Sequence, residues 1–212
     1  MIVDLRRAVS EARFATYLAR AGNDEVQAWA LYEWNLEVST AFLVPLSVLE
    51  VTLRNRLYEA GARPFGRNWL STSTTLGPAD RAMVNDATSK LRARRPDASG
   101  VADPITGDAI VAELSFAFWV GLVATRYDAN LWRRGLVTAF RGPIQRPVLH
   151  GDLDRLRTLR NRIAHHEHLL SRNLTADLER VYWITDRLSP TTATWLVARY
   201  DTALRDLIAK RP

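Results

Sequence analysis

The chain of 212 residues is long enough for one domain with a full hydrophobic core, and its 47% hydrophobic and 25% charged residues indicate a globular protein rather than a disordered one. It has no cysteine, which excludes a disulfide scaffold, thiol catalysis and cysteine metal sites and fits a reducing cytoplasm. The net charge of +6 favours anionic partners such as nucleic acid, although all but two of the 29 basic residues are arginine, a bias that a GC-rich genome also produces.

The sequence shows neither a signal peptide nor a membrane span. Residues 1–21 contain several charged side chains and lack the apolar centre of a signal peptide. The most apolar stretch, residues 109–124, is interrupted by Glu113 and is shorter than the ~20 residues that cross a bilayer. We therefore expect a soluble, cytoplasmic protein that does not act at a membrane.

In the first half of the chain, breaks in the hydrophobic pattern separate helices. Gly22 is placed as a C-terminal glycine, and Asn23 is placed to cap the next helix. Because proline removes a backbone hydrogen bond and clashes with the preceding turn, Pro45 predicts a kink or a break between residues 39 and 45. Pro78 fits the first turn of a further helix. The predicted helices cover residues 4–21, residues 24 to about 60 with that interruption, and residues 78–94, with loops over 61–75 and 95–106.

The second half is also predicted to be helical. Residues 108–127 are apolar nearly all round, which is typical of a buried central helix. Ser189 and Pro190 form a cap followed by proline at the first helical position. Since no alternating strand pattern with hairpin turns occurs, we expect one all-α domain over residues 1–212 with seven to nine helices. The remaining predicted helices cover residues 129–140, 148–166, 174–188 and 190–210, with a break at 142–147.

Three of the four histidines, His165, His166 and His168, fall in one short window. A zinc-protease helix needs two histidines four residues apart with glutamate directly after the first, but here Glu167 follows His166 and leucine stands at position 170. The sequence also lacks a Gly-x-Ser-x-Gly elbow and a phosphate-binding glycine loop. We therefore expect no metal site and no cofactor.

Helical periodicity makes the residues before these histidines unusual. Arg160 lies at the edge of an apolar stripe, where an unpaired charge is costly. Asn161 and His165 share the opposite face, and asparagine is mildly unfavourable inside a helix. A structural explanation stays open: Arg160 can reach the rim or pair with an acid such as Glu50 or Glu113, and the histidines can mark a solvated helix end. The stripe consists of Leu149, Leu153, Leu156 and Ile163.

A short sequence echo links this window to the first half of the chain. Residues 53–57 (LRNRL) recur as residues 159–163 (LRNRI), but the flanking residues do not match, so this is not a structural repeat. The echo is either a coincidence in an arginine-rich chain or a sign that two helices present the same Arg-Asn pair to one site.

These residues resemble a known family. Arg160 and His165, with the polar Asn161 after the arginine, resemble the Arg-x4–6-His motif of the HEPN superfamily. Four segments in matching order resemble the Abi-like (abortive infection) protein family of that superfamily, and the resemblance covers about residues 13–200. The segments are 31–35 (LYEWN), 49–55 (LEVTLRN), 112–119 (AELSFAFW) and 159–167 (LRNRIAHHE).

The resemblance implies a HEPN-type helical bundle with additional helices, its motif on a helix over about residues 148–168, that pairs with a second copy of the chain. Catalytic members of the superfamily are metal-independent endoribonucleases, often toxins in phage defence or in toxin–antitoxin pairs. The resemblance thus implies RNA as substrate, an RNA or protein antitoxin as partner, and Arg160, Asn161 and His165 as catalytic residues. Some HEPN proteins carry a tyrosine two residues after the histidine that a nucleotidyltransferase modifies; here Glu167 occupies that position.

The chemistry of these residues suits RNA cleavage without a metal. An imidazole can accept the proton of the 2′-hydroxyl or donate one to the leaving oxygen near neutral pH. A guanidinium can bind phosphate oxygens as charge builds up on them. Asn161 can orient the imidazole or bond a phosphate oxygen.

Geometry on a single helix favours a dimer. Arg160 and His165 are about 140° apart on an ideal helix, so one helix forms a poor site and a two-fold dimer would let the two motifs face each other. We assign substrate binding to five further residues, Arg54, Asn55, Arg157, Arg162 and His166. Two alternatives to the nuclease stay open: a non-catalytic HEPN module that binds RNA or protein, and a helical dimerisation domain whose arginines reflect only genome composition.

Overall fold

The structure is a computed structural model that describes residues 2–72, 74–94 and 105–212, with side chains from residue 5 onward. No strand occurs in these residues, which confirms the predicted all-α class. The helices are α1 (Ile2–Val9), α2 (Glu11–Arg20), α3 (Glu25–Phe65), α4 (Trp69–Thr72), α5 (Pro78–Ala93), α6 (Gly107–Glu113), α7 (Phe116–Gly121), α8 (Arg146–Ala164), α9 (Leu174–Leu188) and α10 (Pro190–Ala209).

The single helix predicted over residues 4–21 is divided in two at Ser10. This residue has φ +76°, and its hydroxyl accepts a hydrogen bond from the N–H of Arg13, so it caps α2. Gly22, with φ +62°, lies beyond the end of α2 as predicted.

The cap of α3 is Asp24 rather than Asn23. The Asp24 carboxylate accepts a hydrogen bond of 3.0 Å from the N–H of Gln27. Asn23 instead takes the left-handed conformation, with φ +69°, which asparagine tolerates better than most residues. The predicted cap was therefore wrong by one residue.

Of the kink or break predicted between residues 39 and 45, the break is absent, because α3 continues through Pro45 and Pro64 for 41 residues. Proline inside a helix costs about 3 kcal/mol. Phe42, Leu46 and Leu49, which surround Pro45, are all buried, and full burial of one such side chain stabilises by about 1.5–3 kcal/mol. The burial around Pro45 therefore outweighs its local cost, and the predicted end near residue 60 gives way to an end at Phe65.

The helix predicted over residues 108–127 is two short helices, α6 and α7. Leu114 leaves the helical conformation with ψ 136°, and the Ser115 hydroxyl then accepts a bond from the N–H of Phe118, which caps α7. The predicted burial is found, since Trp119 and Leu122 are fully buried. After α7, the helix predicted over 129–140 is replaced by 3-10 turns at Thr125–Tyr127 and Leu136–Ala139 with a π-turn at Asp128–Trp132 between them.

Four predicted helices are found within a few residues of their expected bounds: α5, α8, α9 and α10. Pro78 begins α5, and the Ser189 hydroxyl accepts a bond from the N–H of Thr192 at the start of α10. The predicted loop over 95–106 lies almost entirely outside the described residues.

The core forms around α3, which packs against α2, α8, α9 and α10. Helix α3 is also, among the described helices, the one that is long and apolar enough to cross a bilayer, a test that the core helix of a soluble protein also passes.

A buried carboxylate fixes the chain after α8. Asp177 on α9 is only 3% exposed. It accepts hydrogen bonds from Arg172, at 2.8 Å, and from Arg180, at 3.3 Å. Arg180 also bonds Asp152 on α8, at 2.8 Å. The network ties α8, α9 and the segment between them together, which holds the end of α8 in place.

Two glycines inside helices should respond oppositely to alanine. A Cβ on Gly61 would lie 2.6 Å from Cε2 of the buried Trp69, whereas a Cβ on Gly151 would meet nothing closer than 3.8 Å. Gly61→Ala should destabilise the protein by about 1–3 kcal/mol because the indole cannot move away. Gly151→Ala should stabilise it by about 0.5–1 kcal/mol through helix propensity.

Urea unfolding of both variants beside the wild type measures these changes. Gly151→Ala is the matched control, because it makes the same substitution in a helix that has room for the methyl group. Equal effects of the same sign at the two positions would contradict the packing described for Trp69.

Candidate functional site

The predicted motif lies at the C-terminal end of α8. Leu159 and Ile163 bury the core side of this end. The Arg160 side chain is 44% exposed, and its Nε lies 3.8 Å from Oε2 of Glu50 on α3. Ideal periodicity put Arg160 at the edge of the apolar stripe of α8, on the core side. In the structure its side chain lies outside the core. Of the two acids considered as its partner, Glu50 is the one that pairs, while Glu113 binds Arg94.

The helix ends in a Schellman motif built around His166. The N–H of His166 bonds the carbonyl of Ile163 at 3.0 Å, and the N–H of Glu167 bonds the carbonyl of Arg162 at 2.8 Å. His166 takes φ +55°, a left-handed conformation that usually belongs to glycine. The backbone turns sharply here, and the Cβ of His166 makes this conformation costly.

His165 is the last residue before this turn. It caps α8, its N–H bonds the carbonyl of Asn161 at 2.9 Å, and its side chain is exposed. Asn161 is half-buried one turn earlier. The structure thus presents the predicted imidazole at a rigid helix end open to solvent.

The chain after the turn closes a cleft of about 230 Å³ against α2. Arg162 crosses its base: its guanidinium donates to the carbonyl of His168 at 3.0 Å and lies 3.7 Å from the Glu167 carboxylate. The cleft combines three side chains of α2 with four that lie in or after α8. They are Arg13, Thr16, Tyr17, Arg162, His166, Glu167 and His168.

The deeper wall of the cleft is aromatic. The His168 ring meets Tyr17 edge-on, with centroids 6.5 Å apart, and its buried Nδ1 has no hydrogen-bond partner. Burial, followed by the charges of Arg162 and Arg20, lowers the pKa of His168 below its usual value. Burial also raises the pKa of Tyr17 to about 12. Both rings are therefore neutral near pH 7.

Asn35 on α3 anchors the segment that follows. It is 3% exposed, and its Oδ1 accepts a hydrogen bond of 2.7 Å from the N–H of Leu169. The sequence interpretation gave Asn35 no role, although an amide on the apolar side of α3 was a detectable signal. The contributions of Arg13 and Tyr17 had no such signal, because they depend on where α2 packs.

Two other predicted binding residues, Arg157 and Arg54, each contact a polar group of the same protomer. Arg157 pairs with Asp154 on its own helix, and its Nη2 atom lies 2.7 Å from the Asp154 carboxylate. The Nη1 atom of Arg54 lies 3.5 Å from the carbonyl oxygen of Ala112.

Asn55 lines a second cleft, with Tyr58, Glu59, Asp108 and Val111. Asn161 does not line this cleft. Of the predicted binding residues, the cleft beside α2 takes in Arg162 and His166.

Among the described residues, no group of three or more histidines, aspartates or glutamates is placed to hold a metal ion. The chain matches no protein-family model, no curated protein and no solved structure. Any functional conclusion therefore rests on the geometry of the helix end and on the resemblance of the motif.

The strain at His166 makes a stability prediction. His166→Gly should stabilise the protein by about 0.5–1 kcal/mol, because glycine adopts a positive φ without the clash that a Cβ causes. His165→Gly is the matched control. Because His165 has φ −94°, its Cβ causes no clash that glycine would remove, and the added freedom of the unfolded backbone should lower the stability by about 0.5–1 kcal/mol. Denaturant unfolding compares the two, and a loss of stability in His166→Gly would contradict the described turn.

The pKa of His168 makes a prediction about pH. Because the folded state lowers this pKa, the unfolded chain binds the proton first as the pH falls below about 6.5. The stability that the neutral ring contributes is complete above the unfolded pKa and is lost as the pH falls through the folded pKa. His168→Gln should therefore show a weaker fall of unfolding free energy between pH 7 and pH 5 than the wild type.

Urea unfolding at each pH measures that fall, and an NMR titration of the His168 ring reads its pKa directly. Arg162→Gln should raise this pKa, since it removes a neighbouring positive charge. Identical pH profiles in the wild type and His168→Gln would contradict the role of the buried ring.

Proposed function

We propose that the chain is a metal-independent endoribonuclease of toxin or phage-defence type, acting in the cytoplasm as a homodimer and controlled by an RNA or protein antitoxin. The observation that carries the proposal is the C-terminal end of α8, where an exposed arginine and an exposed histidine lie five residues apart. The resemblance of residues 159–167 to the Abi-like motif of the HEPN superfamily supports the same reading.

Arg160 is suited to hold the scissile phosphate. Its ion pair with Glu50 is long and partly solvated, and such a pair contributes at most about 1 kcal/mol. The pair therefore orients the guanidinium without neutralising it strongly, and a phosphate can displace or share the carboxylate. A guanidinium binds two phosphate oxygens at once, which suits the charge that develops during transfer.

His165 is suited to move the proton. An imidazole can accept the 2′-hydroxyl proton or protonate the 5′ leaving oxygen, depending on its charge state. The oxygen then attacks the phosphorus, the P–O5′ bond breaks, and a 2′,3′-cyclic phosphate with a free 5′-hydroxyl results. Asn161, one turn away, can hold the imidazole or a phosphate oxygen in place.

The cleft beside α2 extends the site along the RNA. Arg13 and Arg162 give it a cationic rim, His166 and Glu167 also line it, and Tyr17 and His168 give it a neutral aromatic wall. Single-stranded nucleic acid is commonly bound by cations along its backbone together with rings for its bases. We therefore assign Arg162 and His166, which both line this cleft, to RNA binding.

An RNA-cleavage assay with the purified protein in excess EDTA tests the proposal. His165→Ala and Arg160→Ala should each lower the cleavage rate by 10²-fold or more, the usual effect of removing a proton donor or a phosphate-binding cation. His150→Ala, earlier in α8, and Arg63→Ala, in the last turn of α3, are the matched controls and should cleave at the wild-type rate.

Circular dichroism of each variant separates loss of activity from loss of fold. Wild-type cleavage by either motif variant would refute the assigned site. Activity lost in EDTA and restored by a divalent ion would refute the metal-free mechanism. RNA binding without cleavage by the wild type would favour the non-catalytic alternative.

A further inference from the structure

A groove of about 540 Å³ lies between α9 and α10. The residues of α9 that line it are spaced by three or four positions, so they share one face of that helix. They are large or charged, whereas those of α10 are mostly small, and this difference in size leaves space between the two helices. The lining residues are Glu179, Tyr182, Trp183 and Asp186 of α9 and Ala193, Thr194, Val197 and Ala198 of α10.

The middle of the groove is apolar and partly open to solvent. Trp183 on one wall is 37% exposed, and Val197 on the other is 40% exposed. The guanidinium of Arg187, one turn along α9, lies 5.7 Å from the centroid of the Trp183 ring and helps to hold the indole in place. Apolar side chains that stay exposed in a concave surface are typical of a site that binds another molecule.

A carboxylate lies on either side of this apolar middle. Glu179 and Asp186 are seven residues apart, which is about two turns, or roughly 10 Å, along α9. None of the lining residues is basic, although the net charge of the chain is +6. The groove is therefore an acidic and apolar surface on a basic protein, and its charge favours a cationic occupant over an RNA strand.

The two carboxylates differ in their partners. Glu179 pairs with Arg205 of α10. Asp186 is exposed, and within the described residues it forms neither an ion pair nor a hydrogen bond, although Arg141 and Arg187 line a neighbouring cleft that it borders. Asp186 is therefore the carboxylate that is more open to a cation from another molecule.

The floor of the groove contains a buried hydroxyl without a partner. Tyr182 is 8% exposed, and its Oη forms no hydrogen bond. Burial raises the pKa of Tyr182, and the nearby Asp201 carboxylate raises it further although the two groups do not reach hydrogen-bond geometry. The hydroxyl therefore keeps its proton and can donate a hydrogen bond to an acceptor of a bound molecule. This unpaired donor is independent of the charges, and it also points to an occupant.

We propose that the groove binds a basic, amphipathic helix of a protein partner, which places an apolar side chain between Trp183 and Val197 and an arginine or lysine on Asp186. Such a helix suits the groove because a second cation seven residues from the first matches the two-turn spacing of the carboxylates and reaches Glu179. The apolar middle supplies contact area, and the carboxylates fix the register of the partner.

This binding site is separate from the candidate nuclease site. The groove and the cleft beside α2 have no lining residue in common, and no residue of α8 lines the groove. A partner can therefore bind here without occupying the end of α8. The proposal does not depend on the proposed function, and it adds a protein-binding surface to it.

NMR of the purified protein with ¹⁵N-labelled tryptophan tests the proposal. The probe is an alanine-based helical peptide of about 15 residues that carries two arginines seven residues apart with two leucines between them. The control peptide has glutamate in place of both arginines. The arginine peptide should shift the indole signal of Trp183, which is assigned with Trp183→Phe, and should bind at least 10-fold more tightly than the control peptide.

Two pairs of variants locate the binding. Asp186→Asn should weaken binding of the arginine peptide about 10-fold, whereas Asp86→Asn, the same substitution on α5, should leave it unchanged. Ala198→Phe fills the groove and should abolish binding. Ala203→Phe, at an exposed position of α10 that does not line the groove, should bind as the wild type does. Thermal melting shows that each variant is folded.

Equal binding of the two peptides, an unchanged Trp183 signal, or unchanged affinity in Asp186→Asn would overturn the proposal. A Trp183 signal that shifts with an oligouridylate and not with the arginine peptide would assign the groove to nucleic acid and overturn it as well. A shift that depends on protein concentration alone and is lost in Ala198→Phe would assign the groove to a second copy, with the same consequence. None of these measurements involves RNA cleavage, so this proposal and the proposed nuclease fail separately.

Discussion

Continuous burial along one side of α3 is the constraint on which the rest of the structure depends. The helix buries an apolar residue at nearly every turn, from Leu31 through Phe42 to Leu57, and α2, α8, α9 and α10 pack against it. That burial keeps the helix intact through Pro45, where local preference alone would break it. Because α3 is continuous, Asn35 and Glu50 are held at fixed levels on it, and the end of α8 is positioned between those two levels.

Local chemistry in the sequence predicted some helices well and could not predict others. Pro78 and Ser189 mark the starts of α5 and α10 correctly, since proline at a first turn and a serine cap act within a few residues. Pro45 misled because its cost is outweighed by side chains that meet α3 only in the folded state. Ser10 and Ser115 each follow one helix and cap the next one. Helical periodicity does not reveal such a break, because the interruption between the two helices is very short.

The candidate site shows the same division between local and long-range information. Helix position placed Arg160 near the apolar stripe of α8, and of the two acids offered as its partner, Glu50 and Glu113, the structure shows the pairing with Glu50. The left-handed turn at His166 was not predicted, because a histidine rather than a glycine occupies it. The contacts of Asn35 with Leu169 and of His168 with Tyr17 span more than a hundred residues, so no pattern within one segment could have revealed them.

The end of α8 is held by backbone hydrogen bonds, while its side chains remain open to solvent. The Schellman hydrogen bonds satisfy the last carbonyls of the helix without using a side chain, so His165 stays free at the surface. Asn35 and the Asp177 network hold the following segment from below. Only the weak pair with Glu50 engages Arg160 itself, and a partly solvated pair of 3.8 Å is readily exchanged for a phosphate.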